Sequence, residues 1–162
     1  VILLGIDPGP TTSGVCVYDA TTAPYVVASH ARLQWHDARE WLRAYPGVQV
    51  VCERTQAGPP SSSVVLTTEI VGRVQEACDL LGHPLVLKYR REVLQALGCA
   101  VAGNKDALVR QVLIGMHGGT ELAAVGHTKR RGPLWGVSSH SWQALALCVA
   151  HRLQSGGNNE RS

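Results

Sequence analysis

Residues 1–19, VILLGIDPGPTTSGVCVYD, decide how this chain is read. The apolar run VILLGI ends at Asp7, passes through Pro8 and Gly9, and is followed by a second apolar run at 13–19. Apolar runs of this length bounded by Pro, Thr and Gly read as strands joined by a turn. An acid at the end of a buried strand is costly to desolvate unless it is paired or bound to a metal. Gly9 then lets the backbone approach a phosphate or turn sharply into the second strand. The plainer alternative is a turn in which Asp7 accepts backbone hydrogen bonds.

Working outward, 25–30 (YVVASH) reads as a third strand, and a helix is expected near 37–45 with Trp41, Leu42 and Tyr45 on one side. VQVVC at 48–52 is a continuous apolar run of strand length, as in a buried parallel strand. The segment 63–81 carries Ile70, Val71, Val74, Ala77, Cys78 and Leu81 at 3.6-residue spacing and is stopped by Gly82, which predicts a helix. A strand at 84–89, helical turns at 90–97 and a helix at 104–114 follow. Residues 115–137 are rich in Gly and read as one long loop. A last helix over 139–153 bears Trp142, Leu145, Val149 and Leu153 on one face, and SGGNNERS reads as a disordered tail. Three early strands and then alternating helices and strands predict one α/β domain, residues 1–154, with a tail at 155–162.

The 162 residues suit a single domain, and 45% hydrophobic against 17% charged residues excludes a disordered chain. No run approaches the ~20 apolar residues of a membrane span. VILLGI lacks a basic leader and a small-residue cleavage site, so no signal peptide is expected, and Val1 is read as following a removed Met. Cys16, Cys52, Cys78, Cys99 and Cys148 are odd in number and without CxxC spacing, which argues against a disulfide scaffold or thiolate zinc site and for a reducing, cytoplasmic setting. A net charge of +3 permits nucleic-acid binding without requiring it.

Glu53 repeats the setting of Asp7, an acid at the C-terminal end of an apolar strand, where open α/β sheets place their sites. Pairing with Arg54 is its plainer reading. Two such acids on different strands suit a hard divalent cation such as Mg²⁺. In the final helix, His140 and Gln143 are three residues apart and share a face. A helix-borne His is, alone, more often a surface residue than a ligand.

ILLGIDPGPTTSGVCVYD, VVCERTQAG and HSWQALALCVAHRL, in this order over residues 1–154, resemble the RuvC family of Holliday-junction resolvases, a phage or bacterial member. The resemblance implies a ribonuclease H-like fold with a mixed central sheet and helices on both faces. It also implies a homodimer and metal-dependent cleavage of four-way DNA junctions, in a bacterial cell or a phage's host. Asp7 and Glu53 match the first two catalytic acids, and His140 matches a position where relatives carry Asp or His. Gln143 stands where the family has Asp, and a neutral amide there implies weakened metal affinity and an attenuated or disabled site. The implied cofactor is Mg²⁺ or Mn²⁺, two ions per site flanking the scissile phosphate, with Asp7 bridging them and water attacking in line to leave a 5′-phosphate. His140 is expected to bind metal or accept a proton from the water.

Some relatives carry a Phe wedge after the second acid; this chain has no Phe, and Arg54 and Gln56 stand there. Lys105 matches a family Lys that can pair with the scissile phosphate or the attacking water. Lys88, Arg90 and Arg91, with Lys129, Arg130 and Arg131 in the long loop, complete the expected DNA surface, and a merely solvated face is the plainer reading of each cluster. Val64, Val65, Ile70 and Val71 mark the 63–81 helix as the candidate dimer face. Three rival readings remain: a nucleotide-cradling lobe of the actin and hexokinase type, a non-catalytic junction-binding module, and a ribonuclease H-like nuclease acting on other branched DNA or RNA.

Overall fold

In the computed structural model, which describes residues 1–21, 26–55, 59, 61–101 and 103–156, the first strand, β1 (Ile2–Asp7), lies at the centre of a mixed sheet. It pairs antiparallel with β2 (Ser13–Asp19), which pairs antiparallel with β3 (Val26–Leu33). On its other side it runs parallel to β4 (Gln49–Arg54), and β4 runs parallel to β5 (Leu85–Tyr89). The order is β3-β2-β1-β4-β5. Alternate residues of a strand face opposite sides of a sheet, and each side of this one carries its own core.

Leu4 and Ile6 of β1, with Val50 and Cys52 of β4, pack against helices α1 (Trp35–Ala44) and α2 (Ser62–Leu81). Leu3 of β1 and Val51 of β4 face the other way. There they pack with α3 (Arg90–Ala96), α4 (Lys105–His117), α5 (Glu121–Ala124) and the last helix, α6 (His140–Gly156). The odd-numbered face of β1 therefore ends in Asp7, under α6. The α/β class and the mixed sheet with helices on both faces follow the expectation.

Two stretches differ from it. The stretch 115–137 is not one loop: α4 runs on to His117, α5 follows, and Gly126–His127 (β6) pairs with Arg130–Arg131 (β7). Buried Leu134 and Val137, and the bond from Leu134 N to Ala124 O at 2.8 Å, tie its end to the core. The last helix extends through Gly156, beyond the expected helix end at 153 and the expected domain limit at 154, and 157–162 lie outside the described residues. It is also buried around nearly its whole circumference from Ser141 to Ala150, Gln143 excepted, because the sheet covers one side and α3 and α4 the other.

Helix α2 starts where Ser61 Oγ accepts from Val64 N and stops at Gly82, whose φ of 74° is the left-handed cap. Of its periodic face, Val71, Val74, Ala77 and Cys78 are buried in the chain's own core, whereas Val65, Leu66 and Leu80, outside that face, stay exposed. Val71 thus leaves the expected dimer face. All five cysteines are free and buried.

Candidate active site

The parallel pairing of Ile6 with Cys52 brings the ends of β1 and β4 side by side, so Asp7 and Glu53 emerge next to one another on the face that α6 covers. Glycines allow the helix to come so close. A Cβ on Gly14, which pairs with Asp7 in β2, would stand 2.3 Å from His140 O. Ser139, at φ 46°, turns the chain into α6, and His140 Nδ1 then donates to Asp7 Oδ2 at 3.0 Å. Asp7 is only 8% exposed. Burying a carboxylate this deeply is tolerable only with partners of this kind.

Glu53 feels the same cost. Burial, and next the charge of Asp7, push its carboxyl up to about 7, against the pull of Arg90, whose Nη1 lies 3.9 Å from Glu53 Oε2. The hydrogen bond from His140 to Asp7 raises the imidazole above its ordinary value. Both groups bind a proton more tightly folded than unfolded, so their contribution to stability is present at low pH and fades as pH rises; for Glu53 the window is about 4.5 to 7. In chelator, the wild type is expected to lose up to about 3 kcal/mol more than Glu53→Gln between pH 5 and 8. Thermal melts across that range measure the difference, and parallel profiles would show that Glu53 ionises normally.

No protein-family model and no curated protein matches the chain. Solved structures do. A Thermus thermophilus RuvC in complex with a Holliday junction substrate superposes with a TM-score of 0.70 at 19% identity, covering 97% of this chain and 96% of that one. A second Thermus thermophilus RuvC structure gives 0.69 at 20% identity, covering 98% and 97%. The fold is that of RuvC. The fowlpox virus Holliday junction resolvase is more distant, at 0.52 and 13% identity over 96% and 99% of the two chains.

On this RuvC-like fold the four residues singled out in sequence occupy one end of the sheet, but Gln143 does not face the acids alone. Its Oε1 accepts from Arg90 Nη1, and its Nε2 donates to Asp106 Oδ1 at 3.2 Å. Arg90 Nη2 also donates to Asp106 Oδ1. Asp106 was missed in sequence, where an acid in the first turn of a helix reads as a partner of the helix dipole; its adjacency to Lys105 was the one signal available. Beside this network an open cleft of about 410 Å³ is lined by Asn104, Asp106, Arg110, His140, Trp142 and Gln143.

The basic residues separate. Lys88 shares a register row with Glu53 but is buried, its ammonium donating to Gln154 of α6. It therefore does not join the expected surface cluster, because β5 turns that side chain under the helix. Arg91 and Lys105 are exposed, as are Lys129, Arg130 and Arg131 on the short hairpin. Arg54 lies over the Tyr89 ring at 5.3 Å and Arg131 over Trp135 at 5.7 Å. Gln56 lies outside the described residues.

As they stand, no three His, Cys, Asp or Glu side chains among the described residues form a ready cage for an ion. The donor chemistry nevertheless fits a hard divalent cation: two carboxylates whose charges oppose one another and an imidazole already held by one of them. No helix among the described residues is long and apolar enough to cross a membrane.

Proposed function

We propose that this chain is a metal-dependent endonuclease that hydrolyses a phosphodiester in branched DNA, four-way junctions foremost. The observation that carries this reading is the buried pair Asp7 and Glu53 on adjacent parallel strands, with His140 of α6 bonded to Asp7. The RuvC fold supports it, since one structure with that fold holds a Holliday junction.

Asp7, Glu53 and His140 would hold Mg²⁺ or Mn²⁺. Bound there, a divalent ion supplies Lewis-acid stabilisation of the phosphate and a more acidic water. Asp7 and Glu53 orient the site and, being mostly shielded from solvent, act at low dielectric. His140, held through Nδ1, has only Nε2 left, which would either bind the ion or hold a proton from the attacking water. The new O–P bond forms as the P–O3′ bond breaks, leaving a 5′-phosphate. The second ion expected from sequence would take Gln143, an uncharged ligand whose oxygen is already given to Arg90. Cleavage attenuated relative to a site that holds two ions follows from that.

Exposed Arg54, Arg91, Lys105, Lys129, Arg130 and Arg131 supply the proposed phosphate contacts, so binding falls with salt. A junction has two symmetry-related strands to cut, which a two-fold homodimer meets. Val65 and Leu66 on α2 are its candidate face. We take the whole of 1–156 as one nuclease domain acting in the cytoplasm. A non-catalytic junction-binding module is the second reading, favoured by the bond between Arg90 and Gln143.

A labelled four-way junction, incubated with excess protein across a series of metals, tests the choice. Slow, paired nicks in Mg²⁺ or Mn²⁺ and none in EDTA are expected, from a protein that light scattering finds dimeric. Tight junction binding with no nick in any metal would favour the binding module.

A further inference from the structure

Arg90 was expected on a DNA-facing surface. Instead its guanidinium is fastened by residues from two other elements, and its side chain is only 24% exposed. One N–H of Nη1 goes to Gln143 of α6 and one of Nη2 to Asp106 of α4, while the same group faces Glu53 of β4 at 3.9 Å. A long side chain held in one place by two bonds has lost the freedom that makes surface arginines cheap and interchangeable.

Gln143 is chemically matched to this arrangement. Its amide oxygen accepts from Arg90 and its amide nitrogen donates to Asp106. An Asp at that position has no donor and would set a second carboxylate against Asp106. The amide is therefore the residue type that lets an arginine and an acid occupy the space together.

We infer that Arg90 takes the place of a second cation, so that the site works with one divalent ion and one guanidinium. This rests on the endonuclease reading. Formal charge agrees: the carboxylates of Asp7, Glu53 and Asp106 against the Arg90 guanidinium leave a deficit that one divalent ion balances. Arg keeps its charge at any working pH and carries five N–H donors. Those not spent on Gln143 and Asp106 remain for a phosphate oxygen, which a guanidinium binds in the same planar fork as a carboxylate. Beside Glu53, such a donor stabilises charge that develops on the phosphate as the water attacks. Arg90 is thereby a phosphate-holding residue.

Two measurements test this together: Mn²⁺ bound per protomer, by titration calorimetry or electron paramagnetic resonance with a four-way junction present, and the single-turnover rate of cleavage. The wild type is expected to bind one Mn²⁺ per protomer. Arg90→Gln, which keeps hydrogen-bonding capacity without charge, should still bind one and cut about 10²-fold more slowly. Arg90→Lys should recover part of the rate. Gln143→Asp alone should gain little, because the new carboxylate pairs with Arg90. Arg90→Ala with Gln143→Asp should bind two Mn²⁺ and cut faster than Arg90→Ala, a non-additivity that marks one shared position. Circular dichroism confirms that each variant is folded.

Two Mn²⁺ in the wild type would overturn the inference, as would a double variant that still binds one. An unchanged rate in Arg90→Gln, with one ion bound, would overturn it and leave the endonuclease reading standing. Neither an ion nor a nick in the wild type would remove both.

Discussion

Asp7→Asn is expected to reduce junction cleavage by about 10²-fold or more, while leaving junction affinity equal or slightly higher. Asp7 ends the central strand, is almost wholly buried, and touches His140 from the last helix. The substitution keeps the size of the side chain and an oxygen for His140, so the fold should persist. It removes the charge that would hold a divalent ion, and it also removes negative charge from a surface that must meet phosphates. Cleavage is best read in single turnover with Mn²⁺, and affinity by fluorescence anisotropy at fixed salt. A rate within tenfold of the wild type would take Asp7 out of the centre of the site.

Gly5→Ala is the largest structural effect expected. The Cβ it adds would lie 2.1 Å from Ala144 O and 2.8 Å from Cys148 Sγ, and the first of these belongs to the backbone of α6. The helix cannot yield there by turning a rotamer; it must move away from β1, and His140 and Gln143 move with it. Overpacking usually costs about 1–3 kcal/mol, and a backbone clash belongs at or above the upper end. For a chain of this size that lowers the melting temperature by about 6–12 °C. Gly72→Ala is the matched control. A Cβ at Gly72 meets nothing within 4 Å, and Ala in the exposed interior of α2 should stabilise by about 0.5–1 kcal/mol. If both variants melt alike, the close seating of α6 on β1 is wrong.

These two residues also mark how far local reading of the chain reaches. Asp7 and Glu53 stood out because each is an acid closing an apolar strand, and the cost of burying a charge is a property of that short stretch alone. The strands, the α2 helix and the α/β class were readable for a similar reason, since periods of 2 and 3.6 are written within a few residues. Gly5 looked like any glycine before an acid. Only the seating of α6 reveals that a side chain has no room there.

The network of Arg90, Asp106 and Gln143 lay further out of reach. Arg90 is 16 residues from Asp106 and 53 from Gln143, and each one, in its own surroundings, reads as a polar residue near the start of a helix. The same holds for Lys88, whose place beside Arg90 and Arg91 in sequence suggested one basic surface; strand alternation buried it under α6, while Arg90, opening α3, turned toward Glu53. Sequence by itself determined the α/β class, the two strand-end acids and the helix that brings His140 to them. Tertiary structure alone decided which cation faces those acids, because that depends on side chains converging from three helices and a strand, and no local period or desolvation cost encodes such a meeting.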